Sequence, residues 1–131
     1  MAKIVVMGAG IGGISQVYEL RKALGREHEL VLLGDSNHFE FTPSNPWVAV
    51  GWHKPGQITV DLPDLMNKYG IKFDGQGVKR LHPESSSLEM NDGSTVDYDY
   101  LVIATGPKLA FEEVPGLGPD GYTQSVCKTG H

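Results

Sequence analysis

The spacing of apolar residues changes along the first part of the chain, from a continuous run to a helical period and then to a second continuous run. Residues 3 to 7, KIVVM, form a short apolar run that predicts a buried strand. A helical pattern follows and stops at Gly25, a residue suited to a helix C-cap. Its apolar positions are Ile11, Ile14, Val17, Tyr18 and Leu24. Residues 28 to 33, HELVLL, supply a second apolar run, so the pattern predicts a β-α-β unit with parallel strands and a right-handed crossover.

The middle of the chain carries weaker patterns. Residues 34 to 46 collect Gly, Asp, Ser, Asn and Pro, which predicts loop or irregular edge structure. We expect a brief strand from Trp47 to Gly51 and a short helix from Asp61 to Tyr69. Residues 70 to 75, GIKFDG, are a further short strand candidate.

Antiparallel structure is predicted from residue 77 onward, where GVKRLHP, SSLEMN and STVDYDYLVIAT follow one another. The Asp-Gly pair in NDGS, residues 91 to 94, suits the positive φ angles of a tight primed hairpin turn. Residues 100 to 106, YLVIATG, predict a buried strand that returns to the parallel sheet. The fold class expected is therefore α/β: a Rossmann-type domain with a parallel sheet and crossover helix, and an inserted antiparallel β-meander.

Composition narrows the class of protein. The chain has 131 residues, 40% of them hydrophobic, which is enough for an ordinary core. Acidic and basic residues are intermixed and the formal net charge is −5, which argues against a nucleic-acid partner. No apolar run approaches the roughly 20 residues that span a bilayer. The start of the chain leaves no room for a secretory signal peptide, so we expect a soluble chain made in the cytoplasm.

Cysteine and histidine are too sparse and too scattered for a metal site. The single cysteine, Cys127, excludes an intramolecular disulfide and a zinc site made of several thiolates. Four histidines lack the spacing of metal ligands, so no metal is expected; they are His28, His38, His53 and His82.

Glycines are concentrated between the first predicted strand and the first predicted helix. Gly8 would permit a tight turn, Gly10 would let a pyrophosphate approach the backbone, and Gly13 would let helix and strand pack closely. Free N–H groups and the helix dipole at that terminus favour an anion. The alternative is a glycine turn that binds nothing. The predicted dinucleotide-binding residues of this turn are Gly8, Ala9, Gly10, Ile11, Gly12 and Gly13.

The acidic residue expected at the end of the second strand is displaced. Dinucleotide folds of this kind usually place a carboxylate there to hold the adenosine ribose. In VLLGD the expected position is Gly34, and the carboxylate follows at Asp35. Either Asp35 reaches the ribose from the loop, or backbone groups of Gly34 and Asp35 hold it. As an alternative, Asp35 caps the loop through an Asx-turn with Asn37.

A second motif indicates which dinucleotide the chain binds. A meander followed by a strand and Ala104-Thr105-Gly106 resembles the two-dinucleotide-binding flavoproteins, whereas a plain NAD domain would continue with crossover helices. In those flavoproteins the ATG turn passes near FAD, so the resemblance implies that Ala104, Thr105 and Gly106 contact FAD. A hairpin and a buried strand alone would explain the alternation but not the joint occurrence of the two motifs.

Three further segments resemble one particular family of these flavoproteins. Residues 41 to 52 (FTPSNPWVAVGW), 98 to 116 (YDYLVIATGPKLAFEEVPG) and 124 to 131 (QSVCKTGH) resemble the amino-terminal portion of bacterial sulfide:quinone oxidoreductase. The resemblance runs through the whole chain. It implies that residues 1 to 131 are the amino-terminal part of one FAD-binding domain, without a separate second domain, and that about two thirds of the family's usual length is absent.

The resemblance also implies roles for several residues. Thr42, Pro43 and Asn45 would form part of a wall beside the flavin; otherwise they are a loop. Val78 would offer backbone atoms to the adenine, with core packing as the alternative. Lys108 would neutralise flavin or phosphate charge, and the alternative is a solvated lysine.

Cys127 and His131 are the catalytic candidates. In the family, cysteines take up sulfide, extend a sulfur chain and pass two electrons to FAD and then to quinone, and the attacking species is a thiolate. The cysteine matched by Cys127 lies close to the flavin, and in some members it tethers FAD through a thioether. The sequence does not separate catalyst, tether and inert, partly buried thiol. His131 matches a histidine with a proposed role in proton handling near the quinone.

The expected function is thus that of a sulfide:quinone oxidoreductase, an FAD-dependent enzyme of sulfur metabolism with sulfide and quinone as substrates. The resemblance implies a peripheral membrane protein that seats through the absent carboxy-terminal part; a homo-oligomer is compatible with it. We expect the 131 residues alone to be inactive and to bind FAD weakly. Two alternatives stay open: a type II NADH:quinone dehydrogenase, which would not need Cys127, and a non-catalytic dinucleotide-binding redox sensor.

Overall fold

The chain is described by a computed structural model that covers residues 1–118, 121–122 and 127–129. It divides into two compact units. The first unit comprises Met1–Phe39 and Asp61–Gly106, and the second comprises Glu40–Val60 and Pro107–His131.

The first unit is built on a four-stranded parallel sheet and two helices. In chain order its main elements are β1 (Lys3–Met7), α1 (Ile11–Leu24), β2 (Glu29–Leu33), α3 (Leu62–Lys68), β5 (Lys72–Asp74) and β9 (Tyr100–Ile103). The strand order is β5-β2-β1-β9. In the central pair, Lys3 lies opposite Glu29 and Met7 opposite Leu33, so the two strands end at the same level. The predicted β-α-β unit is confirmed, and Gly25 ends α1 with a φ of 58°.

Alternate residues of the central strands cover the two faces of this sheet. Ile4, Val6, Leu30 and Leu32 are buried with Val17 of α1 and with Leu62 and Met66 of α3. Val5, Val31 and Leu33 are buried in a second cluster, together with Leu88 and Met90. Helices therefore cover one face of the sheet, and the other face packs against the segment that contains Leu88.

That segment is the predicted meander, a separate three-stranded antiparallel sheet whose strands lie side by side in chain order. Its strands are β6 (Val78–His82), β7 (Ser87–Met90) and β8 (Thr95–Asp97). The turn between β7 and β8 is not the two-residue primed turn we predicted. Gly93 has a φ of 86°, Asp92 is not among the positive-φ residues, and the Met90 N–H donates to the Ser94 carbonyl at 2.9 Å. A three-residue loop with glycine in the left-handed position fits these observations.

The strand Tyr100–Ile103 is less buried than the sequence predicts. It returns to the parallel sheet and pairs with β1, as expected. Within the described residues, however, it lies at the edge of the sheet, and Tyr100 and Ile103 are 65% and 60% exposed. Apolar composition predicts a strand here but does not indicate which strands flank it.

The second unit contains mainly turns and one short helix. The helix α2 (Asn45–Ala49) replaces the strand predicted at 47 to 51, because Pro46 in its first turn fixes a helical φ. Short 3₁₀ turns lie at Thr42–Ser44, Pro55–Gln57 and Phe111–Glu113. The chain enters and leaves this unit through β3 (His38–Glu40) and β4 (Thr59–Asp61), a two-stranded sheet that replaces part of the loop predicted at 34 to 46.

None of the helices in the described part of the chain has the length and apolar character needed to cross a bilayer.

Candidate functional site

The carboxyl ends of the parallel strands bring together most of the residues predicted to bind FAD. Gly8 follows β1, Gly34 follows β2 and Ala104 follows β9. The Gly8 N–H donates to the Leu33 carbonyl at 2.8 Å, and the Ala104 N–H donates to the Met7 carbonyl at 2.8 Å. The ends of β1, β2 and β9 are thus fixed to one another by backbone hydrogen bonds, at the edge where open α/β sheets bind ligands.

Close packing leaves no space for a side chain at Gly8 and Gly13. Gly8 has a φ of 112°, and a Cβ atom there would overlap the Ala104 carbonyl. A Cβ on Gly13 would overlap the Gly8 carbonyl oxygen, which lies against the first turn of α1. Two of the three motif glycines therefore have a structural explanation that involves no ligand.

Gly10 and Gly12 have a different environment. Apart from the adjoining residues of the chain and of α1 itself, no atom of the described residues lies within 4 Å of the position that a Cβ would occupy on either residue. Each is exposed, and α1 begins here with no side-chain cap and no acidic residue in its first turn. Ile11 between them is 47% exposed. An open, uncapped N-terminus of a 14-residue helix fits a phosphate group, which would accept from its N–H groups.

Gly34 is a glycine because the turn of the first motif packs on it. A Cβ there would lie 2.8 Å from the Ala9 Cβ and 3.3 Å from the Ser36 carbonyl oxygen. No side chain fits without movement, which explains why the acidic residue expected at this position is absent. Asp35 is exposed at the start of the loop. The local turn uses a different side chain, since Ser36 Oγ accepts from the His38 N–H at 3.1 Å.

Val78 lies beside the same end of β2. The Gly77 N–H donates to the Gly34 carbonyl at 2.8 Å, and the Asn91 N–H donates to the Gly77 carbonyl at 3.0 Å. Val78 itself is partly buried against the cluster that contains Leu88. The core packing named as an alternative is therefore present, and its backbone role toward adenine stays a prediction.

In the second unit, Asn45 is joined to a carboxylate that no sequence motif indicated. Asn45 is 3% exposed, and its Nδ2 donates to Glu40 Oε1 at 2.8 Å. Its Oδ1 is buried and has no hydrogen-bond partner among the described residues. A buried amide oxygen without a donor is unfavourable by about 1–3 kcal/mol, so this atom fits a donor supplied by a ligand. Thr42 and Pro43, in the adjoining 3₁₀ turn, are exposed.

Glu40 also receives two hydrogen bonds from Thr129. The Thr129 N–H donates to Oε1 at 2.9 Å and its hydroxyl donates to Oε2 at 2.7 Å. Burial raises the pKa of Glu40, but the hydrogen bonds from Thr129 and Asn45 and the charge of Lys128 outweigh it and hold the pKa below its usual value. The signal for Glu40 was a single carboxylate between two aromatic residues, FEF, at the end of a short strand.

Cys127 is exposed, two residues before Thr129, and Lys128 beside it is exposed as well. The exposure differs from the partly buried thiol that we kept as an alternative. Lys108 is exposed and lies 3.5 Å from Glu112, which fits the solvated alternative for this lysine. His131 lies outside the described residues. Within the described ranges, no three His, Cys, Asp or Glu side chains come together as metal ligands.

The chain resembles known proteins over its whole length. Residues 2–130 match the model of the pyridine nucleotide-disulphide oxidoreductase family. The sulfide-quinone reductase of Aquifex aeolicus (strain VF5) is 38% identical over 132 residues, which cover 100% of this chain and 30% of that protein. The external alternative NAD(P)H-ubiquinone oxidoreductase B4 of Arabidopsis thaliana mitochondria is 30% identical, over 92% of this chain and 22% of that protein.

A solved structure supports the same relationship. The X-ray structure of the sulfide:quinone oxidoreductase from Aquifex aeolicus superposes with a TM-score of 0.92 at 37% identity, covering 100% of this chain and 30% of that one. The chain thus spans about three tenths of the length of the Aquifex protein and about a fifth of the length of the Arabidopsis enzyme. The predicted Rossmann-type FAD-binding fold and the resemblance to sulfide:quinone oxidoreductase are confirmed. The chain belongs to the pyridine nucleotide-disulphide oxidoreductase family.

Proposed function

We propose that this chain is the amino-terminal, FAD-binding part of a sulfide:quinone oxidoreductase. The observation that carries the proposal is the match to the sulfide-quinone reductase of Aquifex aeolicus, which extends over all of this chain. Because the chain spans about three tenths of that relative, the activity belongs to the complete protein. Sulfide and a membrane quinone are the substrates.

The strand ends of the first unit hold the FAD diphosphate and adenosine. The exposed backbone at Gly10, Ile11 and Gly12 approaches the diphosphate, and the N-terminus of α1 stabilises its negative charge. Asp35, or the backbone at Gly34 and Asp35, holds the ribose, because Gly34 has no room for a side chain. Thr105 and Gly106 are exposed after β9 and contact the cofactor from that strand. Bound FAD supplies two-electron redox chemistry that no side chain offers.

In the second unit, four residues are proposed to act on the flavin ring and the sulfur: Thr42, Pro43, Asn45 and Cys127. The buried Oδ1 of Asn45 would accept a hydrogen bond from the ring, and Thr42 and Pro43 would lie beside it. The exposed sulfur of Cys127 would form a persulfide with hydrosulfide, a step that releases one proton and two electrons, and bound FAD would accept the two electrons. Alternatively, Cys127 would hold the cofactor through a thioether.

The overall reaction balances with two electrons. Hydrosulfide loses two electrons and a proton as it becomes sulfur at the zero oxidation level. The quinone takes up two electrons and two protons, and His131 handles protons at that end. Membrane contact and quinone binding belong to the part of the protein beyond this chain.

The steady-state donor of the complete protein tests the proposal. We expect bound FAD, released on denaturation, and reduction of a soluble ubiquinone analogue with sulfide as donor. Reduction with NADH and not with sulfide would overturn the proposal. It would favour an NADH:quinone dehydrogenase, the function suggested by the 30% identity to the Arabidopsis enzyme. Bound dinucleotide with turnover of neither donor would favour a redox sensor.

A further inference from the structure

We propose that Glu40 is a positioning residue that fixes the segment carrying Cys127. Its carboxylate accepts hydrogen bonds from the Thr129 N–H at 2.9 Å, the Thr129 hydroxyl at 2.7 Å and Asn45 Nδ2 at 2.8 Å. One side chain therefore joins residues 127–129 to the first residue of α2, Asn45. The inference rests on the proposed function, in which those two segments face the flavin and the sulfur.

The hydrogen bonds to Glu40 are charge-assisted. An ionised carboxylate accepts shorter and stronger hydrogen bonds than a neutral amide, and two of these donors belong to the same residue, one on the backbone and one on the side chain. Such a pair fixes both the position and the orientation of Thr129. The three contacts take up both carboxylate oxygens, which explains the need for a carboxylate at this position.

The segment that Glu40 anchors has no regular secondary structure. Cys127 and Lys128 are exposed, no helix or strand includes them, and Thr129 is only partly buried. Displacing Thr129 therefore moves Cys127, two residues away. Thiol chemistry requires the sulfur within about 3–3.5 Å of its partner, and a misplacement near 1 Å can lower a rate by about 100-fold.

The buried amide of Asn45 extends the same network toward a ligand. Because an ionised Glu40 only accepts, the amide must turn its Nδ2 toward Glu40, and this leaves Oδ1 for a donor outside the described residues. Glu40 thereby orients Asn45 as well as Thr129. Replacing the carboxylate with an amide would allow Asn45 to turn over.

The test uses Glu40→Gln in the complete protein, with Glu113→Gln as the matched control. Glu113 is an exposed carboxylate of the same unit. Amide hydrogen exchange of a peptide containing Thr129 is the first readout, because it needs no activity. We expect the Thr129 amide to lose protection in Glu40→Gln and to keep it in Glu113→Gln. Unchanged protection in Glu40→Gln would overturn the anchor.

The second readout is the rate of flavin bleaching by sulfide under anaerobic conditions. We expect Glu40→Gln to lower this rate by at least about 10-fold with FAD content and KM for sulfide nearly unchanged, as expected for misplacement of the thiol. Thr129→Val removes one of the donors and should slow bleaching too, and the double variant should be little worse than Glu40→Gln alone. Additive effects, or a wild-type rate in Glu40→Gln, would contradict the proposal. If the wild-type protein were not bleached by sulfide, the proposed function would fail while hydrogen exchange still decided the anchor.

Discussion

The α-carbon of Gly8 faces the carbonyl group of Ala104 so closely that a Cβ atom would overlap it. The first residue of the glycine turn and the first residue of the ATG turn are thus in direct backbone contact. The two motifs that indicated FAD in the sequence are one structural feature, formed where β1 and β9 end side by side.

This contact separates a structural glycine from a ligand-binding one. Gly8→Ala should lower the free energy of unfolding by more than about 1 kcal/mol, because the residue needs a positive φ and has no space for a Cβ. Gly10→Ala should leave stability within about 0.5 kcal/mol of wild type, since no described residue beyond its chain neighbours lies within 4 Å of its Cβ position. Chemical denaturation of the apoprotein measures the two values.

Gly10→Ala should weaken FAD binding even though it leaves stability nearly unchanged. In Gly10→Ala the added methyl group points into the open space assigned to the diphosphate, so FAD affinity should fall by at least about 10-fold with the fold intact. Fluorescence titration of the apoprotein with FAD measures it. Wild-type affinity in Gly10→Ala would argue against a diphosphate at this turn.

Restoring the usual acidic residue should be unfavourable. In Gly34→Asp the new Cβ would lie 2.8 Å from the Ala9 Cβ, so the variant should unfold more easily by about 1–3 kcal/mol. The double variant Ala9→Gly with Gly34→Asp removes the methyl group from the contact and should regain part of this loss. Thermal unfolding of the two single variants and the double variant tests the coupling. Equal stability of Gly34→Asp and wild type would show that the contact is not restrictive.

Leu88 should be among the side chains on which the meander depends. It is fully buried between the meander and the sheet face formed by Val5, Val31 and Leu33. Leu88→Ala should destabilise the protein by about 2–5 kcal/mol. The exposed Val60→Ala, at 42% exposure, is the control and should change stability by less than about 0.5 kcal/mol. Loss of stability is measured by denaturant midpoints.

Stability should fall in acid in a way that depends on Glu40. Its pKa in the folded protein is held below the ordinary value of 4.5, so its contribution is fully present above that value. It is lost as the pH falls through the lower folded pKa, where protonation ends the ionic hydrogen bonds. Thermal midpoints between pH 7 and pH 3 should therefore fall more steeply in wild type than in Glu40→Gln. Parallel curves would contradict the assignment.

The sequence predicts the elements of the first unit well because their patterns are long and regular. The run KIVVM and the helical spacing from Ile11 to Leu24 each match one element of the structure. The strand predicted at 47 to 51 is wrong, since its apolar residues belong to a short helix begun at Asn45 with Pro46 in its first turn. An apolar run of five residues is weak evidence for a strand, whereas proline restricts its own φ to a value that suits the first turn of a helix.

The backbone geometry of the candidate site could be predicted at its glycines, but not the hydrogen bonds by which one polar side chain joins distant segments. The positive φ of Gly8 and Gly106 agrees with the turns that the two motifs imply. The link from Glu40 to Thr129 has no local pattern, because the two residues lie 89 positions apart. A displaced carboxylate at Asp35 was visible in the sequence, whereas its cause, the packing of Ala9 on Gly34, was not.

The most direct test of the central claim is an anaerobic titration of the complete protein, followed at the flavin absorption band. We predict that sulfide bleaches the flavin with one equivalent per FAD, that NADH does not, and that a quinone analogue restores the band. Replacing Cys127 by Ala should abolish or strongly slow the bleaching. Bleaching by NADH with no response to sulfide would contradict the account.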